Sequence, residues 1–235
     1  MRRSNQRESY TPFDIIDAPT RNYIAQVSRV RNGALKIDIS DSIMEFISAL
    51  SIKILKGTYA YVNHNDYIQL DGHKRVPLSY SSSGQQEVVW LLNLLFTYAA
   101  IHQKSFVIIE EPETHLHPDA QYLLTQYIAA FRNNTSSRIF ITTHSPYVLS
   151  SFNNLFYAGK CGLETANAEA VNSVIPAHCW LDAKDFSAYI MENASIRDIK
   201  DEELAMIDIA ELDAVASKQD TEYEKLLNIA KGRHI

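Results

Sequence analysis

Two adjacent carboxylates, Glu110 and Glu111, close the apolar run Phe106-Val107-Ile108-Ile109 and precede Pro112. At a strand end such a pair can divide the work of hydrolysis: one acid enters the shell of a divalent cation, the other orients water. Successive strand side chains point to opposite faces, which would let the two acids serve different partners. A second apolar run, Arg138–Thr142, ends in Thr142-Thr143-His144-Ser145-Pro146, placing His144 at a comparable strand end. Upstream stands Ser81-Ser82-Ser83-Gly84-Gln85-Gln86-Glu87, just ahead of a long apolar segment. If that segment is a helix, its N-terminal N–H groups, with the hydroxyls of Ser82 and Ser83, suit a phosphate. The same residues also fit an ordinary serine N-cap.

The elements that must carry these groups are legible from periodicity. Ile43, Phe46, Ile47, Leu50 and Ile54 recur at helical spacing, with Ser40, Asp41 or Ser42 as the cap and Gly57 as the terminator. Thr58–Val62, Tyr67–Leu70 and Arg75–Leu78 read as a small antiparallel meander with turns at 63–66 and 71–72. Glu87–His102 reads as a buried helix, apolar nearly all round. Phe106–Ile109 has the pattern of a buried parallel strand, and Pro118 suits the first position of a helix over Asp119–Phe131. Strand, helix, strand over residues 106–142 is a βαβ unit, so the sheet is expected to be parallel with ligands at its C-terminal edge. Farther on, Leu155–Ala158 and Val171–Ile175 read as strands. Ala183–Met191, Asp201–Ile209 and Thr221–Ile229 read as helices.

Composition narrows the partners. The 235 residues carry a net charge of −6, distributed unevenly. Residues 1–80 hold 11 basic and 8 acidic side chains, residues 81–160 hold 4 and 5, and residues 161–235 hold 7 and 15. An acidic final third repels a nucleic-acid backbone, so DNA contact finds no support in the charge and a protein partner fits better. Cys161 and Cys179 lack metal spacing. No long apolar span is present and Met1–Arg7 leads into polar sequence, which implies no membrane association and a cytoplasmic location. His115-x-His117 could pair with His144 or His178 around a metal. Ser145 beside His144 has no Gly-x-Ser-x-Gly elbow and is not read as a hydrolase nucleophile.

In this fixed order, the Ser-Ser-Gly-Gln element, Ile109-Glu110-Glu111-Pro112-Glu113 with His115-Leu116-His117-Pro118, and Thr142-Thr143-His144-Ser145 resemble the signature, Walker B, D-loop and H-loop of ABC-type ATPases. The resemblance is to the RecF/SMC/OLD-like heads and to AAA-family ATPases of bacterial defence systems. It is specific over residues 78–158. It implies an α/β fold with a parallel sheet, flanking helices, an upstream antiparallel meander and a mostly helical C-terminal appendage. The implied division is 1–80 as a partial helical and meander region, 81–160 as the ATPase core, and 161–235 as the appendage. It implies ATP and Mg²⁺, with Glu110 on the metal side, Glu111 as catalytic base and His144 as the switch histidine. Ser82, Ser83, Gly84 and Gln85 would meet nucleotide across a dimer interface.

A Gly-x-x-x-x-Gly-Lys-Ser/Thr phosphate loop does not occur in these 235 residues. Three explanations stand open: a C-terminal piece of a longer ATPase, one part of a split pair, or a protein that keeps the fold for binding alone. On the first two, the partners are a second copy, or a lobe bearing the phosphate loop, and an effector such as a nuclease acting in DNA repair or phage defence. On the third, the chain is a non-catalytic interaction module. No strand-end Glu followed by Asp-x-Asp marks a Toprim nuclease in residues 159–235.

Overall fold

The computed structural model describes residues 41–70, 74–164, 168–201, 204, 206–208, 218–219 and 221–227. Helix α1 (Ser42–Leu55) begins at Asp41, whose carboxylate accepts from the Ile43 N–H at 3.3 Å. It ends one residue earlier than Gly57 suggested: Lys56 takes the left-handed position at φ 50°. Gly57 is required for a different reason, since a Cβ there would stand 2.7 Å from Ile68 Cγ2 and 2.8 Å from the Gln69 carbonyl.

Strands β1 (Thr58–Val62), β2 (Asn65–Gln69) and β3 (Arg75–Pro77) form the expected antiparallel meander. The first turn is tighter than the sequence indicated. Val62 pairs with Asn65 and only Asn63 and His64 lie between, both at positive φ, the hairpin geometry that matches strand twist. The expected turn at 71–72 lies outside the described residues. A short 3₁₀ turn, Leu78–Tyr80, leads to helix α2 (Ser83–Ala100), which starts four residues before the helix read from the apolar pattern.

Strand β4 (Phe106–Glu110), helix α3 (Pro118–Thr135) and strand β5 (Arg138–Thr142) make the βαβ unit, and β4 pairs with β5 in parallel. Helices α1, α2 and α3 and the inner face of this strand pair enclose the main core, with Ile47, Val89, Leu95, Tyr127 and Phe131 fully buried. The Tyr127 hydroxyl donates to the Leu92 carbonyl at 2.8 Å, and burial drives its pKa well above the ordinary phenol value.

The strands depart from expectation in one respect. Among the described residues β4 is covered on one face only: Val107 and Ile109 are buried, whereas Phe106 is 67% and Ile108 61% exposed, and Phe140 on β5 is 53% exposed. A continuous apolar run cannot distinguish a strand buried on both faces from one whose second face is uncovered.

Helix α4 (Pro146–Glu164) corrects the reading of Leu155–Ala158 as a strand. Val148, Phe152, Leu155 and Phe156 recur at helical spacing, and the Ser145 hydroxyl accepts from the Val148 N–H at 3.3 Å as a cap. Val171–Ile175 is likewise no strand, because α5 (Ala168–Val174) takes in Val171–Val174 and ends just before Ile175. Two readings in the last third err the other way. Ala183–Met191 contains a 3₁₀ turn and then strand β6 (Tyr189–Glu192), paired with β7 (Ser195–Asp198) through a turn at Asn193 and Ala194. In Asp201–Ile209, β8 (Lys200–Asp201) pairs antiparallel with β9 (Met206–Ile207). Short amphipathic segments satisfy either period, and cross-strand partners decided these. Residues 221–227 are helical as read.

A second core joins α4 to this region through Leu155, Phe156, Ile175, Cys179 and Leu181. Asn153 fixes β9 by donating to the Ile207 carbonyl at 2.9 Å and accepting from its N–H at 2.7 Å. Neither cysteine forms a disulfide, and burial pushes the Cys179 thiol up to about 12. Among the described residues no helix is long and apolar enough to cross a membrane.

Candidate functional site

Parallel pairing puts Glu110 directly beside Thr142, so the two strands end at one edge. Beyond Glu110 the chain does not continue as strand. Glu111 sits at φ 41°, a left-handed conformation costly for a side chain of this size, of order 1–3 kcal/mol. Four bonds hold it there, one of them from its N–H to the Thr142 hydroxyl at 3.3 Å. Its N–H donates to the Thr142 carbonyl at 2.9 Å, and its carbonyl accepts the Thr114 N–H at 3.0 Å and the Thr114 hydroxyl at 2.8 Å. The turn, and not strand alternation, therefore aims the Glu111 carboxylate. Its Oε1 lies 3.1 Å from His144 Nε2. The two side chains are 50% and 86% exposed, so this contact fixes geometry and adds little stability.

Glu110 and Glu111 line a cavity of about 250 Å³ together with Glu87, Val88 and Leu91 of α2 and Ile109 of β4. That is smaller than a complete small-molecule pocket, which spans roughly 300–1,000 Å³. The three carboxylates line the cavity without being grouped closely enough to form a metal-ligand cluster of their own. Mg²⁺ binds through as few as one carboxylate with the remaining positions left to phosphates and water, a role open to Glu110 while Glu111 faces His144.

The N-terminus of α2 carries a capping box. The Ser82 hydroxyl accepts from the Gln85 N–H at 3.3 Å, and Gln85 Oε1 accepts from the Ser82 N–H at 3.1 Å. Gln85 Nε2 donates to the Leu55 carbonyl at 2.6 Å, tying this end to α1. Ser82 and Ser83 are exposed, and the contacts Ser82 makes belong to the cap, not to Glu110, Glu111 or His144. Gly84 brings the helix to the acidic loop: a Cβ there would lie 2.4 Å from the His115 carbonyl oxygen. Gly84→Ala should force the helix and loop apart and cost about 1–3 kcal/mol, read as a lower urea midpoint at unchanged slope. An unchanged midpoint would show that the contact yields freely.

The histidines separate. His117 caps α3, its Nδ1 accepting from the Asp119 N–H at 3.4 Å, and His178 packs its ring 5.4 Å from Phe46. His115 Nε2 lies 3.8 Å from Glu87 Oε1. Among the described residues no three His, Cys, Asp or Glu side chains are grouped to hold a metal, which removes the His115–His117 ligand pairing.

Sequence reasoning missed Glu113. It is 8% exposed, and its Oε1 accepts both the Thr143 hydroxyl at 2.6 Å and the His144 N–H at 2.9 Å. A third acid two residues after Glu111 was the available signal. Gln121 was also missed; its Oε1 accepts from the buried Ser145 hydroxyl at 2.6 Å.

A sequence model of the AAA ATPase domain matches residues 20–149. No curated protein matches the chain. Among solved structures, one from work on ATP-driven dimerization and DNA-stimulated activation of SMC ATPases shares 10% identity at a TM-score of 0.40. It covers 67% of this chain and 82% of its own. The SMC head domain from Thermotoga maritima shares 17% identity at a TM-score of 0.35, covering 54% of this chain and 44% of its own.

Proposed function

The chain belongs to the AAA ATPase domain family, and from that premise we propose that it supplies the hydrolytic half of an ATP site. The observation that carries the reading is the Glu111–His144 contact at the shared end of two parallel strands. In this reading Glu111 accepts the proton of the attacking water, and His144 donates a hydrogen bond that orients the water or the terminal phosphate. Glu110 would hold Mg²⁺, which supplies charge neutralisation for the phosphates. Ser82, Ser83, Gly84 and Gln85 would offer the α2 N-terminus to nucleotide bound on a second head.

The phosphate-loop lobe would come from outside these residues and pack against the uncovered face of β4 and β5. Phe106, Ile108 and Phe140 support this, because three large exposed apolar side chains clustered on one face of two paired strands suit burial by further structure. Closure of two such heads on ATP would regulate a partner protein. The acidic balance of residues 161–235 favours a protein over DNA.

Calorimetry with Mg-ATP tests the half-site. The 235-residue chain should show no micromolar binding, and adding the phosphate-loop lobe should create it together with Mg-dependent hydrolysis. Micromolar affinity in the chain by itself overturns the half-site, and an assembled head without hydrolysis favours a binding module.

A further inference from the structure

We infer that Glu113 is a positioning residue that sets His144 against Glu111. The inference rests on the hydrolytic reading above for its purpose, while its geometry is independent of it. Glu113 lies in the turn that also bends Glu111 into its left-handed backbone, and Thr114, the next residue, holds the Glu111 carbonyl through both its N–H and its hydroxyl. From that turn Glu113 reaches across to the loop after β5 and takes the Thr143 hydroxyl and the His144 N–H on one oxygen. The Thr143 hydroxyl in turn accepts the Ser145 N–H at 3.0 Å. One carboxylate thus orders three consecutive residues, with His144 in the middle. The His144 imidazole is 86% exposed, so beyond its contact with Glu111 its direction depends on its backbone.

The use of a single oxygen sharpens the inference. Among the described residues Glu113 Oε2 is buried with no hydrogen-bond partner, so the connection to the His144 loop converges on Oε1. A glutamine offers the same acceptor at the same reach. The structure therefore predicts that Glu113→Gln preserves the position of His144 and Glu113→Ala does not. At Glu111 the opposite holds, because a base requires the carboxylate itself.

Amide hydrogen exchange on the full chain tests this without nucleotide. The Glu111 N–H, bonded to the Thr142 carbonyl and untouched by Glu113, serves as the internal reference. In Glu113→Ala the His144 amide should exchange at least about tenfold faster relative to that reference, and in Glu113→Gln it should stay within about threefold of wild type. Both amides speeding together, or neither changing, overturns the inference. If Glu113→Ala does not fold, Glu113→Gln decides alone, since loss of His144 protection there contradicts the single-oxygen connection. In the assembled ATPase, Glu113→Ala should lower kcat with little change in KM, and Glu113→Gln should restore it. A wild-type assembly without turnover would count against the hydrolytic reading and leave the exchange result standing.

Discussion

Replacing Glu111 by Gln in the assembled head should reduce ATP turnover by about 10²- to 10⁴-fold, the usual weight of a positioned base. The amide keeps the shape of the carboxylate and can still meet His144 at the observed 3.1 Å, so the site should remain intact. Nucleotide binding and ATP-dependent pairing of heads should therefore persist or tighten, because the bound state is no longer consumed. Single-turnover kinetics alongside sedimentation velocity would read both halves of this expectation. A variant that hydrolyses at the wild-type rate removes Glu111 from the chemistry. A variant in which turnover and association are both unaffected leaves the interaction-module reading in its place.

Phe131→Ala should produce the largest loss of stability, about 3–5 kcal/mol, because a fully buried aromatic ring leaves a cavity that three packed helices cannot close. Urea denaturation should show a lower midpoint with the slope retained. Phe106→Ala is the informative contrast. That ring is 67% exposed on the outer face of β4, so its loss should change stability by no more than about 0.5 kcal/mol. Equal destabilisation at the two positions would mean that the outer face is covered after all.

How far the residues announced this arrangement varied with the strength of their constraints. Asp41, Pro118 and the run Phe106–Ile109 are local signals, and each element formed where its cap or period put it. Glu111 and His144 met because a βαβ unit admits few geometries. What stayed hidden depended on contacts distant in sequence. Glu113 reaches residues about thirty positions away, a link that no period encodes. Gly57 was read as a terminator by its type, whereas the backbone of β2 is what requires it. Leu155–Ala158 is an apolar stretch too short to name its own period, and only the capping serine nine residues before Asn154 and the packing of α4 settled it. The strand pair at 189–198 rests on partners across the turn at Asn193 and Ala194, whose positive φ is not legible from Ala194 at all.

On the hydrolytic reading, the bent backbone at Glu111 sets folding stability against catalysis at one position. Asn, Asp and Gly occupy left-handed geometry more comfortably than Glu does, so each would relax this turn. A lineage released from the demand for turnover would gain folding free energy by drifting to one of those three residues here. Finding Glu retained in sister sequences would mark selection for chemistry, and finding Asn or Gly would mark its abandonment.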